Sequence, residues 1–168
     1  MLLFINNESD LHDFRKNENQ SNVKYIVVSN EELDIPKKKI LQIGKFFIPT
    51  VELFKYINQE IKKTQYEEEY NKTISGYDRL YPLMLALITS KKEMLVFVCS
   101  DTEKDYLYLK FLRDFIINNL GISKSACKSY KQFLKDGIEP IPKKELSNII
   151  SDIDTVRRKA EEYVRMTE

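Results

Sequence analysis

Histidine and cysteine are almost absent from this sequence: His12 is the only histidine, and Cys99 and Cys127 are the only cysteines. One imidazole and two distant thiols cannot build a zinc site of the usual four-ligand kind. Two thiols without metal-ligand spacing read as reduced cysteines of an intracellular protein, so a cytoplasmic location is expected. Glycine is equally scarce. Gly44, Gly76, Gly121 and Gly137 are too scattered for either glycine-rich nucleotide fingerprint, and no cofactor is expected. Four glycines and five prolines are too few for long flexible linkers or collagen-like segments. No apolar run approaches the ~18 residues that spanning a bilayer takes. The opening MLLFINNESD has a short apolar run with no basic region before it, which reads as a first strand and not a signal peptide. No membrane partner is expected. Net charge is +1, so no global field draws the chain to nucleic acid.

Hydrophobic residues make up 42% of the 168 and charged residues 32%, the balance of one globular domain. Aromatic content is carried by ten tyrosines and nine phenylalanines, with no tryptophan. Residues 1–5 read as a buried strand. Ser9 is placed to cap a short helix that turns Leu11 and Phe14 to one face. Residues 23–28 (VKYIVV) are β-branched and read as a second strand, and 39–48 as a third strand or a hairpin around Gly44. Pro49-Thr50 opens a helix burying Leu53, Ile57 and Ile61. Residues 80–88 predict a helix apolar nearly all round, hence central, with Pro82 in its first turn. Residues 94–99 (MLVFVC) are the clearest strand, of the kind a parallel sheet covers on both faces. Ser100 with Glu103 predicts a capping box opening a helix to about Asn119. Two more amphipathic helices are expected, from Ser123 to Lys135 and from about Lys143 to Tyr163. The order predicts a single α/β domain over 1–168. It is a three-layer sandwich with a small, mainly parallel sheet in 1–120 and a helical extension in 121–168.

The strand end Cys99-Ser100-Asp101-Thr102 is the sharpest local feature. Parallel sheets bind ligands beyond their strands' carboxyl ends, and a thiol at a helix N-terminus is activated. His12 follows the first strand and can reach the same rim. Cys99, Ser100, Asp101 and His12 are therefore the candidate residues of a small α/β enzyme, set against a buried thiol and an ordinary cap. Nothing in the spacing singles out a catalytic carboxylate pair.

The segment FLRDFIINNLGISKSACKSYKQFLKDG resembles a helix-turn-helix, with Gly121 at the turn. Lys124, Lys128, Lys131 and Lys135 recur at helical spacing on its second helix, a stripe suited to phosphates or simply to water. Between Gly121 and Lys144 six lysines face only Asp136 and Glu139, while Glu67, Glu68 and Glu69 form an acidic knot elsewhere. Two features speak against the motif: Ile117 stands where a small residue is needed, and few side chains suit base edges. Tyr66, Tyr70, Tyr77 and Tyr81, followed by Tyr106 and Tyr108, suit either a protein interface or the rim of a core. The last helix mixes signs, Asp154 with Arg158, Lys159 and Glu162, which fits a solvated face with i,i+4 pairs.

The stretch EYNKTISGYDRLYPLMLALITSKKEMLVFVCSDTEKDYLYLKFLRDFI, with YINQEIKKTQYEE before it, resembles the second half of a bacterial domain, the YeaO-like family. The resemblance implies a strand ending in a cysteine and followed by a helix. The family's Cys-His-Arg cluster is missing, its places being taken by Asp105, Tyr106 and their neighbours. FVCSDTEKDYLYLKFL also resembles uncharacterised phage proteins, and abundant Lys, Asn and Ile fit a low-GC bacterium or its phage. The leading expectation is a non-enzymatic phage or mobile-element protein that binds a host or phage macromolecule, with a host-takeover or anti-defence role. Nucleic acid is the rival partner, and an enzyme built at Cys99 the second rival.

Overall fold

A computed structural model describes residues 1–17, 22–48, 63–101 and 103–167. Four strands, β1 (Leu2–Ile5), β2 (Val23–Val27), β3 (Met94–Val98) and β4 (Cys127–Ser129), form one sheet in the order β2-β3-β1-β4. Every pairing is parallel, with Leu2 opposite both Leu95 and Cys127 and Val23 opposite Met94. The described helices are α1 (Glu8–Lys16), α2 (Lys63–Ile74), α3 (Tyr77–Thr89), α4 (Glu103–Asn118), α5 (Tyr130–Asp136) and α6 (Lys143–Thr167).

Side-chain alternation along the strands builds two cores. Leu2, Phe4, Ile26, Leu95 and Phe97 face α2, α3, α4 and α6. Leu3, Ile5, Tyr25, Val96 and Val98 face Leu11 and Phe14 of α1 and Tyr130 of α5. The continuous apolar run of β3 is thus the doubly covered central strand, buried at all five positions. Helices on both faces of a parallel sheet make the chain an α/β protein of three layers. Among the described residues no helix is long and apolar enough to cross a membrane.

Several local expectations are corrected. Helix α1 is capped by Asn7 and not Ser9: Asn7 has extended backbone, and its side chain accepts from the Asp10 N–H at 2.8 Å. The strand or hairpin expected over 39–48 is two 3-10 turns, Lys37–Lys39 and Gly44–Phe47. Only one parallel bridge, Tyr25 with Ile40, joins this stretch to the sheet. Helix α3 begins at Tyr77, so Pro82 lies inside it, beyond the first turn. It is central on one side only, with Leu83, Met84, Ala86 and Leu87 buried and Leu85 exposed. Helix α4 starts at Glu103, so Ser100 is not the residue next to its first turn. The helix expected to bury Leu53, Ile57 and Ile61 lies outside the described residues. β4 falls within 121–168, so the sheet continues past residue 120 and the C-terminal part is not purely helical.

The most consequential correction concerns 123–135. This stretch is a 3-10 turn (Lys124–Ala126), then β4, then α5, and not one helix. The free edge of β1 offers a row of backbone partners, and residues 127–129 take them in preference to a local helical turn. Ser129 then opens α5 with a capping box to Gln132.

Candidate functional site

Strand parity decides the fate of the thiol candidates. Cys99 shares its parity with Leu95 and Phe97 and is fully buried in the same core, its backbone N–H continuing the ladder to Ile5 at 3.1 Å. Ser100 is fully buried as well. The chain leaves β1 toward α1 on one face and leaves β3 toward α4 on the other. The carboxyl ends of these adjacent strands therefore form the point where parallel sheets commonly hold an anion. Here the protein fills that position itself: Asp101 Oδ1 accepts the Glu8 backbone N–H at 2.6 Å. His12 is exposed in a separate cleft with Glu32 and Asp34, beside the Arg15–Asp34 ion pair at 3.5 Å. The structure thus ties Asp101 to α1, buries Cys99 and Ser100, and leaves His12 elsewhere. The four do not converge on a reacting centre.

The second thiol is no better placed. Burial pushes Cys127 up to about 12, Arg113 pulling the value back and Glu145 adding to the rise. At mildly alkaline pH neither thiol of the folded chain is expected to react with an aromatic disulfide reagent, and both should react after denaturation. Rapid modification of the native protein would reinstate a nucleophile.

The lysine stripe is dispersed. Lys124 is exposed on the 3-10 turn, and only Lys131 and Lys135 share a helix. Lys128, on β4, is buried. Its Nζ donates to the Gly137 carbonyl at 2.9 Å and lies 3.7 Å from Glu139, so it closes a loop of its own protein. Strand parity is again the cause, sending Cys127 into one face of the sheet and Lys128 to the other.

The tyrosine series divides. Tyr66 and Tyr70, four apart on α2, are buried against Phe111 of α4 with ring centroids at 5.1 and 5.8 Å. The Tyr70 hydroxyl donates to the Phe47 carbonyl at 2.8 Å. Tyr108 is fully buried too, so these three are core residues and not interface residues. Tyr106 lies outside the described side chains. Tyr77 is 40% exposed, and Lys159 Nζ sits 5.1 Å from its ring centroid and 3.3 Å from its hydroxyl.

Tyr81 lines a groove of about 530 Å³ between α3 and the far end of α6, with Phe46, Ala160 and Val164 as its apolar lining. Asp78, Glu161, Arg157 and Arg165 surround it with both signs of charge. The solvated face of α6 carries an ion pair between Asp154 and Arg157 at 3.4 Å, three residues on, in place of the expected pair with Arg158. The apolar stripe of α6 runs Leu146, Ile149, Ile153, Val156, Ala160, Tyr163, a 3-4 spacing kept throughout. Its first four members pack on the core, whereas Tyr163 is 51% exposed. A 25-residue helix about 37 Å long rests on the 13-residue α3, about 20 Å long, and the stripe outlasts its support. Val164 and Met166 beside it are also exposed.

A second concavity, of about 450 Å³, opens where β1 and β4 end. Phe4 and Leu109 line it with carbon, while Lys110, Arg113 and Asp114 of α4 face Lys131 and Gln132 of α5. Arg113 Nε donates to the Cys127 carbonyl at 2.7 Å, which fixes its guanidinium on the sheet edge. None of the groove or cleft residues except Tyr81 and Lys131 was legible as a site residue in the sequence. The stripe of α6 was a readable signal; the cleft, assembled from residues more than a hundred positions apart, left none. No family model matches the chain, and neither a curated protein nor a solved structure matches it. None of these comparisons supports the resemblance of residues 56–116 to the YeaO-like family.

Proposed function

We propose that this protein is a non-enzymatic binding protein that docks on another protein through the surface where the end of α6 meets the start of α3. The observation that carries this reading is the α6 stripe continuing past its support, which leaves its last members exposed at Tyr163 and Val164, with Val164 lining the groove at Tyr81. Clustered apolar side chains rimmed by charge are what a docking surface offers, while singly exposed ones are ordinary. The fitting occupant is an amphipathic helix of the partner. It would lie along α6 as α6 lies along α3, with rim charges of both signs setting its direction. Tyr77 and Tyr81 keep the interface role that the sequence suggested. The partner's being a host or phage macromolecule belongs to the same proposal and draws on composition.

Site-specific photocrosslinking in bacterial cells tests it. A benzophenone side chain at Tyr163 is expected to give discrete protein adducts, and one at Leu134, which is 64% exposed on α5, is not. Val164→Glu in the same chain should abolish the adducts. Identical adducts at both positions, or adducts indifferent to Val164→Glu, would refute the reading. An adduct of twice the 19.9 kDa chain would make the occupant a second copy and overturn the choice of a different partner.

A further inference from the structure

We infer that the cleft at the carboxyl ends of β1 and β4 binds a phosphate monoester of a small hydroxylated molecule. Its volume, about 450 Å³, lies within the range of small-molecule sites, and the end of a parallel sheet is where such sites form. The stronger argument is the sense of its polar groups. Arg113 and Lys131 face the cleft, and neither has an ion-pair partner among the described residues. Arg113 uses its Nε on the Cys127 carbonyl, which leaves both terminal nitrogens as donors from an anchored plane.

The two carboxamides point the same way. Asn6 Oδ1 accepts from Asn7 Nδ2 at 3.1 Å, and Gln132 Oε1 accepts from the Ser129 N–H and hydroxyl at 3.3 Å. Each amide has engaged its acceptor locally and offers its NH2. Arg113 and Lys131, with Lys110 also in the lining, and two amide donors around one space complement a group made of acceptor oxygens, as the terminal phosphate of an ester is. Asp114 is the exception: an acceptor that would repel the phosphate and take a hydroxyl of the ligand's body. Phe4 and Leu109 supply the apolar surface for its carbon atoms. A free mineral anion would leave Asp114 and this apolar wall unused. The site is independent of the α3–α6 groove, and either can fail without the other.

Titration of the isotope-labelled full chain with glycerol 3-phosphate, followed by amide NMR, tests the inference, with glycerol at matched ionic strength as the control. Saturable shifts are expected at Asn6, Arg113, Lys131 and Gln132, with none from glycerol. Lys131→Glu should weaken binding by at least about tenfold, and Arg113→Met by a similar factor. Arg113 also holds β4, so its variant is compared at equal folded fraction. Lys131 is exposed, so its substitution is expected to leave the fold intact. Shifts lying elsewhere, equal shifts from glycerol, an unchanged affinity in Lys131→Glu, or no saturable shift at millimolar ester would each overturn the inference. Inorganic phosphate binding as tightly as the ester would overturn the part played by Asp114 and the apolar wall.

Discussion

Replacing Gly44 by alanine is expected to destabilise the protein by about 3 kcal/mol, at the upper end of what overpacking does. A Cβ on Gly44 would stand 2.0 Å from the Val27 carbonyl oxygen and 2.7 Å from its carbon. No rotamer change relieves that contact, because both atoms are backbone. Nor is the backbone free to move. Val27 pairs with Val98 of the central strand, and the Val28 N–H donates to the Val98 carbonyl at 2.8 Å. A shift at Gly44 therefore strains β3 through β2. For a two-state chain of this size the loss corresponds to a fall of roughly 6–12 °C in Tm. Gly121→Ala provides the contrast. Its φ of +71° disfavours a side chain but nothing lies within 4 Å, so about 1 kcal/mol is expected. Urea unfolding followed by circular dichroism separates the two, and a Gly44→Ala variant within 0.5 kcal/mol of the wild type would contradict the close approach described.

Phe97→Ala should cost as much or more, about 3–5 kcal/mol. The ring is fully buried on the central strand and stacks on Phe4 of β1 with centroids 4.9 Å apart and planes 7° from parallel. Truncation removes the transferred area, leaves a cavity between sheet and helices, and loses an aromatic pair worth roughly 1 kcal/mol beyond burial. Phe97→Leu, which keeps most of the volume, should lose less. A cycle of Phe4→Leu, Phe97→Leu and the double variant should show coupling of roughly 1 kcal/mol if the stack contributes as described. Additive losses would mean that area burial alone accounts for both residues. The truncation is also informative about function: Phe4 lines the cleft at the strand ends, so disturbing the stack should disturb that cleft before it reaches the α3–α6 groove.

How much of this was legible depended on whether a signal was local. The five-residue apolar run of β3 can be satisfied only by cover on both faces, and the order of strands and helices around it suffices for an α/β sheet. The last helix was visible for the same reason, its apolar spacing being set by its own 3.6-residue turn. By contrast, 123–135 has helical periodicity and is not a helix. The lysine spacing was real, but the unpaired edge of β1, more than a hundred residues away in the chain, outbid a local turn. The same pairing turned Lys128 from a surface cation into an internal one.

Candidate sites followed that division. Cys99 and Asp101 lie where the sequence put them, at the end of a parallel strand. One alternation of side chains buries the thiol, and the geometry of adjacent crossovers hands the carboxylate to the Glu8 N–H. Tyr66 and Tyr77 are the same residue type in neighbouring helices. One is buried and the other exposed because α4 covers the first, whereas the second meets the side chain of Lys159 at the surface.

By itself, then, the sequence determined the class of fold, the central strand and the lack of zinc or glycine-loop vocabulary, since each depends on composition or on contacts a few residues apart. Tertiary structure alone decided which polar groups meet. It gave β1 a second neighbour, drew Arg113 against Cys127, brought Lys131 across from Asp114, and left Tyr163 and Val164 at the end of α6 exposed. The physical reason is that strand pairing and concave sites are made by segments distant in the chain. Their choice among competing partners is settled by the free energy of the whole assembly and not by any local pattern.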